Sequence, residues 1–325
     1  MRIAYNPTMQ PRVTILLPTY EPHPEHITQA LQSLLAQSEQ GWLLFIHDDG
    51  SKADVRAMVA PFMEDKRMHF RRSESRRGIG GNWNAAVADM EEAPYIQLLF
   101  QDDKWEPDYL EKALAVMESN PSVGFLSAQH HYHFEGECPV RDQYEAVVAF
   151  RKTVASGTHD GKTFLMDWME RGLHPNIPGE PSFVMLRRSV MEEVGEFTED
   201  MPQFLDVEYW VRALAVSDWY NLAGDHGAFR VHPSGASEQN RKAGRGLFDR
   251  LRCMDRALVA LPASERPRAR RAIVEHLKGM ILKFRNRSKR GESTSGQGSS
   301  HVLFFALRHP ILTVRAIIGA LGRGK

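Results

Sequence analysis

Cysteine is scarce in this chain: Cys138 and Cys253 are the only two among 325 residues. Two thiols cannot build a disulfide framework or a Cys-rich zinc site, which points to a reducing compartment. Long apolar runs are missing too. No stretch reaches about 18 uninterrupted apolar residues, so no ordinary membrane-spanning helix is expected. The nearest approach, His301–Gly322, is broken by Arg308, His309, Pro310 and Arg315. Met1 to Pro11 lacks a basic start followed by an apolar stretch, and no secretory leader is read there. Net charge is formally zero, with 41 basic and 41 acidic side chains, but the zero is a cancellation. Residues 1–240 carry 21 basic and 36 acidic groups, whereas residues 241–325 carry 20 and 5. An acidic body with a basic appendage that faces an anion is the expectation.

What is present is a strand–helix alternation on enough apolar material, 42% of residues, to exclude wholesale disorder. At this length, one large domain and a smaller part are expected. Val13–Leu17 is a short apolar run that reads as a buried strand ending at Pro18. Ile27, Ala30, Leu31, Leu34 and Leu35 then recur at helical spacing. Trp42–Ile46, Met68–Phe70, Tyr95–Phe100 and Val123–Ser127 read as further strands. Helices are expected at about Ala53–Met63, Gly80–Met90 and Pro107–Ser119, the last with proline in its first turn. Alternation of this kind implies an α/β domain with a mostly parallel sheet. Between about 130 and 181 the periodicity fades and the chain reads as irregular. Strands are expected again at Phe183–Arg187, Trp219–Leu222 and Ala228–Val231, and a helix at Asp206–Val216. Beyond Arg241, helical patterns near Gly244–Val259 and Ala263–Arg287 lead to a Ser/Gly-rich linker over Ser288–Ser300.

In open parallel sheets a ligand binds outside the carboxyl ends of the strands. Pro18-Thr19-Tyr20, His47-Asp48-Asp49-Gly50-Ser51 and Gln101-Asp102-Asp103 all stand at such ends, so one crevice should gather four carboxylates. Their mutual repulsion needs a compensating cation, and oxygen-rich sites of this type suit Mg²⁺ or Mn²⁺ with substrate phosphates. The plainer alternative is that Asp48 and Asp49 form a turn and that Asp102-Asp103 caps the following helix. Gly78-Ile79-Gly80-Gly81-Asn82 lacks the full dinucleotide-loop spacing and reads as the start of a helix. His131 and His133 alternate with His130 along one strand, which argues against a dedicated zinc cluster.

The ordered set Val13–Tyr20, His47–Ser51, Leu98–Asp103 and Asp206–Arg212 resembles the family 2 glycosyltransferases over roughly residues 10–235. The resemblance implies the GT-A fold, an α/β fold with a Rossmann-like, mostly parallel central sheet, followed here by a C-terminal helical extension. It places a catalytic domain at 1–240, the extension at 241–290, and a linker with an apolar, basic tail at 291–325. It implies an inverting, metal-dependent transferase using Mn²⁺ or Mg²⁺ and a nucleotide-diphosphate sugar, UDP-linked before dTDP-linked. The acceptor would be a saccharide or lipid-linked saccharide in surface polysaccharide synthesis, at the cytoplasmic face of a membrane.

By the same resemblance Pro18, Thr19 and Tyr20 lie against the base, with Tyr20 as a stacking surface, and Asp49 bonds the uracil or ribose. Asp102 would bind ribose hydroxyls, and Asp103 would ligate the metal on the diphosphate. Asp206 matches the catalytic base, with Glu208 the alternative because Leu205 replaces an acidic residue common in the family. Arg77 is available to a phosphate or base, or is a solvated turn residue. Arg230-Val231-His232 resembles an element whose histidine approaches the diphosphate or becomes a further metal ligand. The region of His130, Trp168, His174 and Glu180 is expected to adjoin the acceptor. The apolar tail reads as an anionic-membrane contact or, alternatively, as a helix docked on the body. A sugar-nucleotide pyrophosphorylase, a non-catalytic nucleotide-sugar or polysaccharide-binding module, and nucleic-acid binding by the basic appendage are the competing classes. Pro18-Thr19-Tyr20-Glu21-Pro22, in place of a Gly-rich phosphate loop, counts against the first. The intact Asp206 counts against the second, and the apolar tail against the third.

Overall fold

The computed structural model describes residues 10–90, 93–242, 246, 248–289 and 299–321. The first half alternates as read: β1 (Val13–Thr19), α1 (Pro24–Leu35), β2 (Trp42–Asp48), α2 (Val55–Val59), β3 (Met68–Arg72), α3 (Ile79–Asp89) and β4 (Tyr95–Leu98). A two-residue strand β5 (Lys104–Trp105), α4 (Tyr109–Ser119) and β6 (Val123–Ala128) follow. Every residue of β1 and β2 is buried, as expected for interior strands of a parallel sheet covered on both faces. Pro107 stands ahead of α4 rather than within it, because the helix starts only after Asp108.

The stretch read as irregular carries β7 (His131–Phe134), α5 (Arg141–Arg151), β8 (Gly157–His159) and α6 (Gly161–Glu170). Short lengths and mixed polarity hid the two strands. Helix α5 buries only Arg151, so it has no apolar stripe to read. Next come β9 (Val184–Arg187), α7 (Arg188–Val194), α8 (Leu205–Val216), β10 (Asp218–Leu222), β11 (Gly227–Val231) and α9 (Ala236–Lys242). Four helices close the chain: α10 (Asp249–Ala260), α11 (Arg266–Lys289), α12 (Ser299–Arg308) and α13 (Pro310–Leu321). The linker core, 290–298, lies outside the described residues.

The main sheet has the order β3-β2-β1-β4-β9-β6-β10-β8. The first four strands are parallel, β9 runs antiparallel between β4 and β6, and β8 forms an antiparallel edge on β10. One face is covered by α1, α2 and α4, with Ile27, Leu31, Val59, Tyr109 and Leu114 packed on Ile15, Leu17 and Ile46. On the other face α3, α6, α7 and α8 form a core that continues without a break into α10, α11 and α13 through Cys253, Met254, Ile273, Leu312 and Ala316. A second, three-stranded sheet, β5-β11-β7, stands beyond the carboxyl end of β4 and completes one wall of the crevice.

Candidate active site

The three strand-end motifs meet. Asp49 N–H donates to Thr19 O at 2.9 Å, and Tyr20 N–H donates to Gln101 Oε1 at 2.9 Å. Their carboxylates, however, do not all face the crevice. Asp48 is fully buried, accepts from Ser51 Oγ and lies 3.4 Å from Arg72 Nε, so it shapes the Asp-Asp-Gly turn. Gly50, at φ +69°, supplies the left-handed step that this turn requires. Asp49 accepts the backbone N–H groups of Arg77 and Gly78 at 2.7 and 2.9 Å, pinning the start of α3 beside the end of β2. Tyr20 is half-buried, with the Arg76 guanidinium 4.0 Å from its ring centroid. Arg77 is exposed and donates to Ser73 Oγ at 3.1 Å. Pro18 and Thr19 are buried under this floor.

Strand β11 clamps the Asp102-Asp103 turn. Arg230 N–H donates to Asp103 Oδ1 at 3.0 Å, and Arg230 Nε donates to Asp102 O at 2.9 Å. Asp103 is 1% exposed, and burial pushes its carboxyl well above the usual range. His232 lies against Asp102, not Asp103: its Nε2 is 3.2 Å from Asp102 Oδ2. The expected pairing of Asp103 with His232 is therefore replaced by one of Asp102 with His232, because Asp103 is turned toward β11. Burial works against the Asp102 charge, but the hydrogen bond from His232 and the closeness of the His232 and His26 imidazoles outweigh it and hold the group at about 2. His26, on α1, is the residue that sequence reading passed over here. Among the described residues, His26, Asp102 and His232 form the one group placed to share a metal ion, with ligand atoms within 4.8 Å of one another. His26 lies in the first turn of α1, and no motif in His23-Pro24-Glu25-His26 marks it.

Across the crevice, Asp206 stands in the first turn of α8 and accepts from Asn176 Nδ2 at 2.8 Å. Burial, together with the negative charge of Glu180, raises its carboxyl to about 7. Glu208, the alternative base, is fully buried and paired with Arg212 at 2.7 Å and with Arg256, so it is spent on structure. The loop holding Asn176 is itself fixed: Arg151 Nη2 donates to Asn176 O at 2.8 Å and to Glu180 Oε2 at 2.9 Å. Burial opposes the charge of Glu180, but Arg151 and His130 keep its carboxyl well below the usual range. Tyr132 Oη donates to the other Glu180 oxygen at 2.6 Å. Trp168, expected near an acceptor pocket, is instead buried in the core and donates to Pro175 O at 2.7 Å from beneath the same loop. His130 stacks on Phe183 at 3.9 Å, while His131 and His133 are exposed on the opposite face, as strand alternation requires. Asn176 and Arg151 carry no readable motif, since their roles arise only from the fold.

The fold is that of TarS from Staphylococcus aureus, whose 1–349 fragment in complex with UDP-GlcNAc matches at a TM-score of 0.62 and 15% identity, over 94% of this chain and 79% of that one. A mannosyltransferase, PcManGT from Pyrobaculum calidifontis, in complex with GDP-Man and Mn²⁺, matches at 0.54 and 16% identity, over 99% and 90%. By sequence, the chain is 31% identical over 115 residues to the UDP-Glc:alpha-D-GlcNAc-diphosphoundecaprenol beta-1,3-glucosyltransferase WfgD of Escherichia coli, covering 35% of this chain and 44% of that one. It spans less than two thirds of the length of the curated relatives it matches, from 64% down to 23% across seven of them. The α/β architecture is GT-A, the model for glycosyl transferase family 2 matches residues 14–195, more than half of the chain, and the chain belongs to that family.

Proposed function

We propose that this enzyme transfers a sugar from a nucleotide-diphosphate donor, UDP-linked, to a saccharide or lipid-linked saccharide acceptor, with inversion at the anomeric carbon. The observation that carries this reading is a pair of unlike carboxylates, Asp102 held ionised and Asp206 raised to about 7, with the charge of Glu180 close enough to act on both Asp103 and Asp206. The nucleotide occupies the floor of Tyr20 and the Asp49 turn, which Pro18 and Thr19 support from beneath, with Arg77 at its rim. Asp102 and His232 fit a Mn²⁺ or Mg²⁺ ion, because Asp102 Oδ1 is buried without a hydrogen-bond partner. When bound there, such an ion would supply positive charge to the leaving diphosphate. Asp206 takes the proton of the acceptor hydroxyl as it attacks, and a carboxyl near neutrality suits that task. Asn176 holds the carboxylate in place, and Arg151 and Glu180 hold Asn176. A single base and no carboxylate nucleophile imply one displacement.

The setting we propose is a surface polysaccharide pathway at a cytoplasmic membrane face. UDP-GlcNAc in TarS and the lipid-diphosphate acceptor named for WfgD support it. No helix among the described residues is long and apolar enough to cross a membrane. The tail does dock on the body: Phe305, Leu312, Ala316 and Ala320 are buried, and His309 bonds Asp255 at 2.6 Å. Its outer side presents Phe304, Leu307, Ile311 and Ile318, 64–74% exposed, beside Arg308 and Arg315. We read that side as lying in an anionic interface. Mass spectrometry of nucleotide release and glycan mass gain with a donor panel tests the activity. No turnover of any donor, with or without acceptor, would contradict it.

A further inference from the structure

We propose that His26 is a third protein ligand of the cation, making the metal site two imidazoles and one carboxylate; this rests on the metal-dependent reading above. His26 stands on α1, outside the strand-end motifs, and its side chain is 9% exposed. Its Nδ1 and Asp102 Oδ1 face each other at 3.6 Å, too far for a hydrogen bond, and neither has another hydrogen-bond partner. On its far side, His26 Nε2 lies 3.0 Å from Glu135 Oε2. Glu135 is in turn engaged by Arg230. A carboxylate there keeps the proton on Nε2 and leaves the Nδ1 lone pair pointing inward. Two buried acceptors, an imidazole lone pair and a carboxylate oxygen, then confront each other, and a cation between them makes that arrangement favourable.

His232 completes the set from the opposite side. Its Nδ1 is 2.9 Å from Ser234 Oγ, a bond that leaves Nε2 free to face Asp102. The two histidine rings meet edge to face with centroids 5.3 Å apart, so both reach one point from different elements. Each imidazole is thus backed by an acceptor on its remote nitrogen, the outer support that metal-bound histidines generally have. Two nitrogen donors do not suit Mg²⁺, which prefers oxygen and retains its waters. They suit Mn²⁺, Co²⁺ or Zn²⁺, with affinity rising along that part of the divalent series. The site therefore selects a transition metal over Mg²⁺ before any nucleotide arrives.

The test is metal binding by the full chain without nucleotide. Calorimetry with Co²⁺, Mn²⁺ and Mg²⁺ alone is expected to give Co²⁺ tightest and Mg²⁺ at least about tenfold weaker than Mn²⁺. His26→Leu is expected to weaken Co²⁺ on the order of 10–100-fold, while His23→Leu, an exposed neighbour, leaves it unchanged. Nitrogen-15 histidine spectra of the wild-type chain titrated with Zn²⁺ need no substitution. They are expected to shift Nδ1 of His26 and Nε2 of His232. Unchanged Co²⁺ affinity in a folded His26→Leu, or a His26 resonance that ignores Zn²⁺, overturns the assignment. Metal held by all three residues in a chain that turns over no sugar donor supports it and counts against the transferase reading alone.

Discussion

Substituting Asp206→Asn should abolish transfer and, at the same time, stabilise the protein above neutral pH. In the folded chain burial and the Glu180 charge raise the carboxyl from 3.8 to about 7. The folded state therefore holds this proton more tightly than the unfolded chain, and the associated stability is complete below about pH 4 and lost as pH rises to about 7. Over the whole window the loss has a ceiling of about 4 kcal/mol at 1.36 kcal/mol per pKa unit. Between pH 5 and pH 8 it is about 2–3 kcal/mol, because part is already spent by pH 5. Asn has the same shape, can accept from Asn176 Nδ2 through its carbonyl, and carries no charge to bury. Urea unfolding of both proteins across that range should therefore show their stability difference widening by this amount in favour of Asp206→Asn. Transfer should fall about 10²–10⁴-fold, the usual worth of a positioned base. A stability difference independent of pH would refute the strained-carboxylate argument, and intact transfer would refute the assignment of the base.

Other consequences follow from the same geometry. Asn176→Ala frees Asp206 without removing it, so kcat should drop about tenfold with KM little changed and the rising limb of the pH profile displaced; an unaltered profile would sink the positioning role. Asp49→Ala strips the hydrogen bonds that hold Arg77 N–H and Gly78 N–H, which should cost about 1.5–3 kcal/mol in thermal or denaturant unfolding and loosen nucleotide binding. Changing Leu307, Ile311 and Ile318 together to Gln should leave stability within about 0.5 kcal/mol, since all three are exposed, yet abolish sedimentation with anionic vesicles. Undiminished sedimentation would show that the apolar side of the tail does not meet lipid.

The first half of the sheet was legible because its strands are fully apolar and end in motifs that chemistry needs. Val13–Leu17 and Trp42–Ile46 each continue two residues further as strand, since Pro18 and Thr19 pair with His47 and Asp48 in register. The stretch between 130 and 181 was opaque because its strands are three or four residues long and α5 buries one arginine instead of an apolar stripe. For the site, motif matching singled out Asp102, Asp103, Asp206 and His232 and set His232 with Asp103 on the metal, whereas His232 lies against Asp102. That choice is made by β11, whose Arg230 takes Asp103. His26, Asn176 and Arg151 converge from α1, a loop and α5, and only the fold brings them to the crevice.

Binding of UDP by calorimetry, with and without Mn²⁺, tests the central claim most directly. The account predicts that the wild-type chain binds UDP at least about tenfold more tightly with Mn²⁺, and that Asp102→Asn loses the gain while retaining its fold. A chain that binds no nucleoside diphosphate in either condition, or binds UDP equally well with and without the metal, would contradict it.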